Sequence, residues 1–425
     1  MLRKFIFRLL TVALVSATGV SAQEIVLRHD LKGEALDAFA TLTLRFNDGL
    51  KGRGRILLQD VHGVGIDERR VLPHLALLDP DDSMEFFGTR PRFQPLHELL
   101  RNAKSPLNVA AFYPPVKEAV GDGSGRLLAL PLGLNWPVLL VNRAALKKAG
   151  VAEQKLPSTW WEVQKLAGQL YDSGHTCPLT SSRFSWLHLE NIASQHGESA
   201  VKRSGKTEHV AINSLVNVKH LALLASWQKS RYFHYAGAAR EGDARFLSGE
   251  CAMLTGESSI YLAARRTHID ADMTDLPYYD DVYGVRPDDI VPDGAGLWAL
   301  AGHKKEDYAL IARFMAFMMQ AEVQKSWVKA TGFLPMTPAG LSALQEAQLP
   351  TRLLDGAQKR LTAQRKDNSR LRHGPLRDRL HAILGEEIAF VWNADRAAKD
   401  ALDSTVRRVN GASLPAATVA LRQKK

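Results

Sequence analysis

The chain has 425 residues, more than a single hydrophobic core usually holds, so two domains or lobes are expected. With 45% apolar and 24% charged residues, its composition excludes global disorder. The formal charge of +10 falls to +7 once Arg3, Lys4 and Arg8 are set aside with the leader described next, and in an exported chain that excess does not argue for nucleic acid.

Residues 1–22 read as a secretory leader. Arg3, Lys4 and Arg8 form a basic start, Leu9 to Ala17 is apolar, and Val20-Ser21-Ala22 places small residues for cleavage after Ala22. The apolar run is shorter than the ~20 residues that span a bilayer, so export to the periplasm is expected rather than a membrane anchor. A first strand follows at Gln23 to Asp30, then a helix with Leu36, Phe39, Thr43 and Phe46 on one face. Ile56 to Val61 and His74 to Asp79 fit short buried strands, and a short helix starts at Leu96. "GDGSG" (Gly121 to Gly125) is a turn, placed at a hairpin tip. "RLLALPLG" and "PVLLVN" are two strand pieces interrupted by Asn135 and Trp136.

Thr159 and Glu162 have capping-box spacing and open a helix with Val163, Leu166, Ala167 and Leu170 inward. Helices are expected over 185–196, 213–230, 241–248, 306–320 and 375–410. "CAMLTG" is a strand running into a helix at Ser258, and "GLWALAG" is another strand. Strands alternate with helices, so the class is α/β with mostly parallel sheets. Residues 352–380 carry nine Lys/Arg against Asp355, Asp367 and Asp378, which reads as a solvated basic face or an anion site. Cys177 and Cys251 can form one disulfide in an exported protein, or remain two small buried thiols.

Catalytic and metal signatures are missing: no G-x-S-x-G, P-loop, H-E-x-x-H or zinc-type spacing. "DPDD" (Asp79 to Asp82) lacks the spaced oxygens of a calcium loop. What remains are polar and aromatic residues at strand ends, where α/β proteins bind ligands. These are Asn135-Trp136, "RFSWLHLEN", "TGESS", "DGAGLW" and "TGFLPMT".

The order and spacing of "LPLGLNWPVLLVNRAALKKAG", "LPSTWWEV", "SWLHLENIASQHG", "FLSGECAMLTGESS", "DGAGLWALAG", "FMAFMMQAEVQKSWVKATGFLPMT" and "LRHGPLRDRL" resemble the extracellular solute-binding proteins of carbohydrate ABC importers, family 1, above all their glycerol-3-phosphate-binding branch. The resemblance covers roughly Leu128 to Ala401 and is poor over 23–127. It implies a periplasmic-binding-protein-like, type II solute-binding fold: two α/β lobes joined by a hinge, with ligand in the cleft. It implies no covalent chemistry and no cofactor. Matching position by position, it implies ligand contacts at Asn135, Trp186, Glu257, Ser258, Gly294, Phe333 and, for phosphate, Arg372, with weaker matches at Asp81 and His29. Asn135 replaces a Ser, Arg183 a Trp and Phe333 a Tyr of the branch. Trp136 is expected as an apolar wall, and Arg183 as a second anion contact.

The expected lobes are 23–134 with about 266–325, and 135–265 with about 326–425. The expected function is capture of a small polyol phosphate or sugar by a monomer that hands it to an ABC importer permease. The alternatives are a neutral-oligosaccharide binder, a degenerate relative serving as sensor or scaffold, and an exported hydrolase using Glu257.

Overall fold

The structure, a computed structural model, describes residues 23–60, 73–78, 93–105, 107–121, 125–151, 155–204, 207–347, 349–362 and 375–411. The leader, Asp81 and Arg372 lie outside these residues. Strands β1 (Gln23–His29), β2 (Gly54–Asp60), β3 (Leu75–Leu78), β4 (Leu130–Asn135), β5 (Pro137–Asn142), β6 (Leu179–Ser181), β7 (Val201–Ser204), β8 (Thr207–Val210), β9 (Phe233–Tyr235), β10 (Met253–Glu257), β11 (Ala271–Asp275) and β12 (Asp293–Ala299) alternate with helices. They make two five-stranded sheets, ordered β2-β1-β3-β12-β4 and β11-β5-β10-β6-β9, and a small ribbon β7-β8.

Each large sheet contains one reversed strand. In the first, β12 runs against β3 and β4 while β1, β2 and β3 are parallel. In the second, β5 runs against β10 and β11 while β10, β6 and β9 are parallel. These reversed strands are the ones that enter a sheet from the other lobe. The chain leaves the first sheet at β4, enters the second as β5, and returns after β11 as β12. Both β4 and β5 are buried along their whole length, which explains their unbroken apolar run.

Two cores follow. The first gathers Ile25, Leu27, Phe39, Leu75, Leu132, Trp298, Phe314 and Trp327; the second gathers Leu139, Trp160, Leu170, Trp186, Leu221, Leu384 and Leu402. The expected lobe division is corrected in two places. Strand β11 pairs with β5 in the second sheet, and Leu276 and Tyr279 join the second core, so the return crossing comes later than residue 266. Helix Ala321–Thr331 packs Trp327 against Phe39 and donates its indole N–H to Leu132 O, so it belongs with the first lobe, whereas helix Thr351–Thr362 buries Leu353 and Leu361 in a cluster that also takes Val138, Leu140 and Met273 of the second sheet. Sequence reading also passed over β11, whose "ADMTD" is too polar to stand out as a buried strand.

Where helix Thr351–Thr362 carries it, the basic stretch is paired with acids of β11. Arg352 pairs with Asp272 at 2.6 Å, and Lys359 and Arg360 pair with Asp275 at 3.0 and 2.6 Å. Arg360 is buried there, while Arg352 and Lys359 remain half-exposed.

Cys177 and Cys251 form a disulfide. They stand just before the neighbouring parallel strands β6 and β10, where Ala252 N–H also donates to the Cys177 carbonyl at 2.9 Å. The bridge closes 74 positions of chain, so by loop entropy it is worth about 4 kcal/mol. Reduction under native conditions should lower the melting temperature by several degrees in a reductant-controlled calorimetric scan; an unchanged transition would contradict a closed bridge.

Candidate functional site

The carboxyl ends of both sheets meet at the crossing. β4 ends at Asn135, which is paired with Asp293 at the start of β12, and β10 ends at Glu257, paired with Pro137. Trp136 alone lies between β4 and β5. Its backbone N–H donates to Ser258 Oγ at 3.3 Å, and its carbonyl accepts from Ser258 N–H at 3.0 Å. Asn135 Oδ1 accepts from Ser258 Oγ at 3.2 Å and Ser259 N–H at 3.0 Å, and its Nδ2 donates to Glu257 Oε1 at 3.3 Å. The amide therefore ties the end of β4 to the β10–helix turn, at the N-terminus of helix Ser259–Arg266.

A buried charge cluster surrounds this tie. Arg183 follows β6 in a left-handed backbone conformation, φ 44°, which a non-glycine residue holds only when its surroundings enforce it. Two backbone bonds do so: Arg183 N–H to Ala239 O, and Phe184 N–H to Ala238 O at 3.1 Å. The guanidinium reaches Glu257 Oε1 at 2.8 Å and Asp293 Oδ2 at 2.9 Å, and lies 4.9 Å over the Trp186 ring. Arg377, on helix Pro375–Trp392, grips the same Asp293 through both nitrogens, Nη1 at 3.3 Å from Oδ1 and Nη2 against Oδ2. Its Nη2 is also 4.0 Å from Glu190, while Arg240 meets the other Glu257 oxygen at 2.9 Å. Arg183, Arg377, Glu257 and Asp293 are each at most 2% exposed.

Burial disfavours the Arg377 charge, but Asp293 and Glu190 more than offset this and raise its pKa above the ordinary arginine value. Asp243 accepts from Ser182 Oγ at 2.5 Å; burial, then the nearby Glu257, pushes its carboxyl up to about 7. Gly294 has φ 151°, and a Cβ there would sit 1.8 Å from the Gly133 carbonyl, so β12 can lie this close to β4 only with glycine.

Of the residues expected from sequence, Asn135, Arg183, Glu257, Ser258 and Gly294 come together here, with Trp186 beside Arg183. Trp186 donates its indole N–H to Val291 O at 2.7 Å, fixing the return crossing just before β12. Trp136 departs from expectation. It is buried, and the Cβ position of Gly356 would lie 2.6 Å from its ring, so the indole packs beneath helix Thr351–Thr362. Phe333 is half-buried against Trp327, 5.9 Å between ring centres, on a turn whose Leu334 N–H bonds Leu134 O at 2.7 Å. His29 is buried at the end of β1, and desolvation lowers its pKa, opposed by Asp60 and Asp30.

Sequence reasoning missed Asp293, Arg377, Glu190 and Arg240. An acid directly before "GAG" at the head of a strand was the available signal for Asp293. Arg377 in "LRDRL" looked like any exposed helical charge.

Behind the site, Ser181 Oγ meets His188 Nε2 at 2.8 Å, His188 Nδ1 meets His220 Nε2 at 2.8 Å, and His220 Nδ1 meets Tyr279 OH at 2.8 Å. One polarity satisfies every link: Tyr279 donates to His220, His220 to His188, and His188 to Ser181, whose hydroxyl donates to Ser182 O at 3.2 Å. The Ser–His contact has nucleophile–base spacing, but both groups are fully buried. His74, His303 and Asp307 have donor atoms within 4.8 Å of one another. His74 Nδ1 accepts Val26 N–H at 3.1 Å, so its Nε2 carries the proton, which does not suit a metal ligand. A groove of about 940 Å³ between Phe46, Phe112, Phe317 and Pro338 lies on the first lobe and includes none of the junction residues.

This architecture, a polar junction between two sheets joined by crossing strands, is that of a two-lobed binding protein. Residues 73–348 match the bacterial extracellular solute-binding protein family, and the chain belongs to it; such proteins are the capture components of ABC importers. It is 28% identical over 410 residues to the sn-glycerol-3-phosphate-binding periplasmic protein UgpB of Yersinia pestis, covering 92% of this chain and 93% of that one. It is 31% identical over 330 residues to UgpB of Brucella melitensis, covering 75% of each. Among solved structures, UgpB of Mycobacterium tuberculosis in complex with glycerophosphocholine superposes with a TM-score of 0.70 at 17% identity, covering 91% of this chain and 98% of that one. The GacH receptor of Streptomyces glaucescens does so at 0.71 and 14%, covering 92% and 100%.

The buried imidazoles make a pH prediction. Burial lowers the pKa of His188 from 6.5 to about 3, and that of His220 falls well below 6.5 through burial and then the neighbouring His188. Both are neutral in the fold, so their stabilisation is full above pH 6.5 and is lost as pH falls below it, for His188 toward about 3. Each group costs about 1.4 kcal/mol per pH unit in that window. Chemical denaturation from pH 7.5 to 4.5 should show a steep loss that is shallower in His188→Gln; parallel curves would contradict the neutral relay.

Proposed function

We propose that this protein captures a small phosphorylated polyol of the glycerol phosphate type at the junction of its two lobes and delivers it to an importer's permease. The observation that carries the reading is the convergence of Arg183 and Arg377, both buried and both from the second lobe, on Asp293 at the start of β12 in the first sheet. Guanidinium forks match phosphate oxygens bidentately. The glycerol-3-phosphate specificity named for relatives that align over most of the chain supports the same ligand class. Closure requires contacts from both lobes that differ between open and closed states, and the cluster supplies groups from both.

One observation favours a neutral sugar instead. Among the described residues of the cluster, Arg183, Arg240 and Arg377 are balanced by Glu190, Glu257 and Asp293, so the site carries no surplus positive charge of its own. Titration calorimetry on ligand-stripped protein with sn-glycerol-3-phosphate, glycerophosphocholine, glycerol and maltotetraose separates the readings. Micromolar or tighter binding of a phosphorylated polyol without binding of maltotetraose is expected. Binding of maltotetraose alone would overturn the proposal.

A further inference from the structure

We propose that the groove on the first lobe is a second ligand site, separate from the junction, and that it takes a long-chain alkyl carboxylate. Its volume of about 940 Å³ lies in the range of small-molecule pockets, about 300–1,000 Å³. Phe46 and Leu50 at the end of helix Gly33–Gly49, Phe112, and Phe317 and Met319 at the end of helix Lys305–Met318 give it an apolar lining. Phe46 and Phe317 stand 5.4 Å apart between ring centres. An alkyl chain laid on such a surface gains about fourfold in affinity for each methylene it buries. A stable protein interface covers a broad face of about 800 Å² per partner, whereas a concave trough of this size suits a single chain.

The walls are held by a buried amide. Gln324 donates from Nε2 to Met319 O at 2.7 Å and to Thr337 Oγ1 at 3.0 Å, and its Oε1 accepts Met336 N–H at 3.0 Å. The wall at Met319 is thereby pinned to the wall at Thr337 and Pro338, and Tyr113 N–H, donating to Met336 O at 3.1 Å, adds the segment that carries Phe112. The charges select the head group. Arg45 and Arg313 line the groove, both exposed, and no Asp or Glu is among its described lining residues. Arg45 lies over the Phe317 ring, its Cζ 5.4 Å from the centre, so its stem follows the apolar wall while the guanidinium stays at the rim. Unlike Arg183 and Arg377, which are bound to Asp293, neither has an acidic partner among the described residues. Two rim cations above an apolar floor complement a molecule with one anionic end and a hydrocarbon body, and the guanidinium fork matches a carboxylate.

The test is titration calorimetry on the full-length mature protein at about pH 8, where a carboxylate is ionised, with each compound below its micelle-forming concentration. Decanoate is expected to bind in the micromolar range and octanoate, two methylenes shorter, about tenfold more weakly. Decan-1-ol, which has the chain without the charge, should bind at least about tenfold more weakly than decanoate. In a double variant, Arg45→Gln with Arg313→Gln, the acid-to-alcohol ratio should fall to within about threefold while alcohol binding is unchanged. The wild-type series of chain lengths and head groups stands even if that variant fails to fold. Absence of saturable decanoate binding overturns the inference and leaves the groove to a macromolecule; a second copy in that role would appear as concentration-dependent dimerisation in sedimentation velocity. Equal affinity for acid and alcohol overturns it too, as does a ratio unaltered in the folded double variant. The reading of the junction is separate, since calorimetry with sn-glycerol-3-phosphate addresses that site alone.

Discussion

A chain that passes from one sheet into another has to satisfy the backbone groups of the residue that belongs to neither. Here that residue is Trp136, fully buried, and Ser258 serves both its N–H and its carbonyl. An unpaired buried backbone group costs about as much as a lost hydrogen bond, so this double contact is what permits a one-residue crossing inside the core. Much follows from it. Because Ser258 sits where β10 becomes a helix, the crossing is locked to the second sheet, and Asn135 extends the lock through Ser259 and Glu257. The strands leaving and entering are thereby aligned so that their carboxyl ends share one junction, the place where ligands bind in open α/β sheets.

That junction is occupied by charge rather than by the aromatic platform usual for sugars. Buried ion pairs of this kind contribute little net stability, since desolvation consumes most of the Coulomb gain. Their value lies in geometry. Arg183 is held by Glu257 and Asp293 in a backbone conformation it would not choose, and Arg377 arrives from a helix far along the chain. Both cations are thus fixed in place by the fold. Three separated segments, around β6, at the head of β12 and in helix Pro375–Trp392, must be correctly folded for this to happen.

Much of the fold was legible in sequence because its signals are local. The unbroken apolar run of β4 and β5, the Thr159–Glu162 box and the amphipathic helix Lys305–Met318 are all written within a few residues. The crossing was visible as a polar pair and a proline inside an apolar run, and Asn135, Glu257 and Ser258, singled out from sequence, meet there. What Asn135 does was not legible: it holds Ser258 and Ser259, contacts set by tertiary pairing 123 and 124 positions away. Arg377 and Arg360 escaped for the same reason. A lone arginine on a helix reads as solvated unless its distant acid is known, and Asp293 and Asp275 lie 84 and 85 positions away. The polar strand β11 shows the limit of periodicity, since its role as a sheet edge comes from pairing with β5 rather than from its composition.

The central claim is that ligand contacts at this junction set the relative position of two lobes that turn about the Asn135–Pro137 crossing. An inter-lobe distance measurement tests it most directly. Leu44, on helix Gly33–Gly49, and Leu215, at the start of helix Leu215–Lys229, are well exposed and belong to different lobes, so both accept spin labels. Pulsed dipolar spectroscopy should show a broad distance distribution without ligand and a single shifted peak with saturating phosphorylated polyol. An identical distribution in both samples, with binding verified by calorimetry on the same labelled protein, would contradict it.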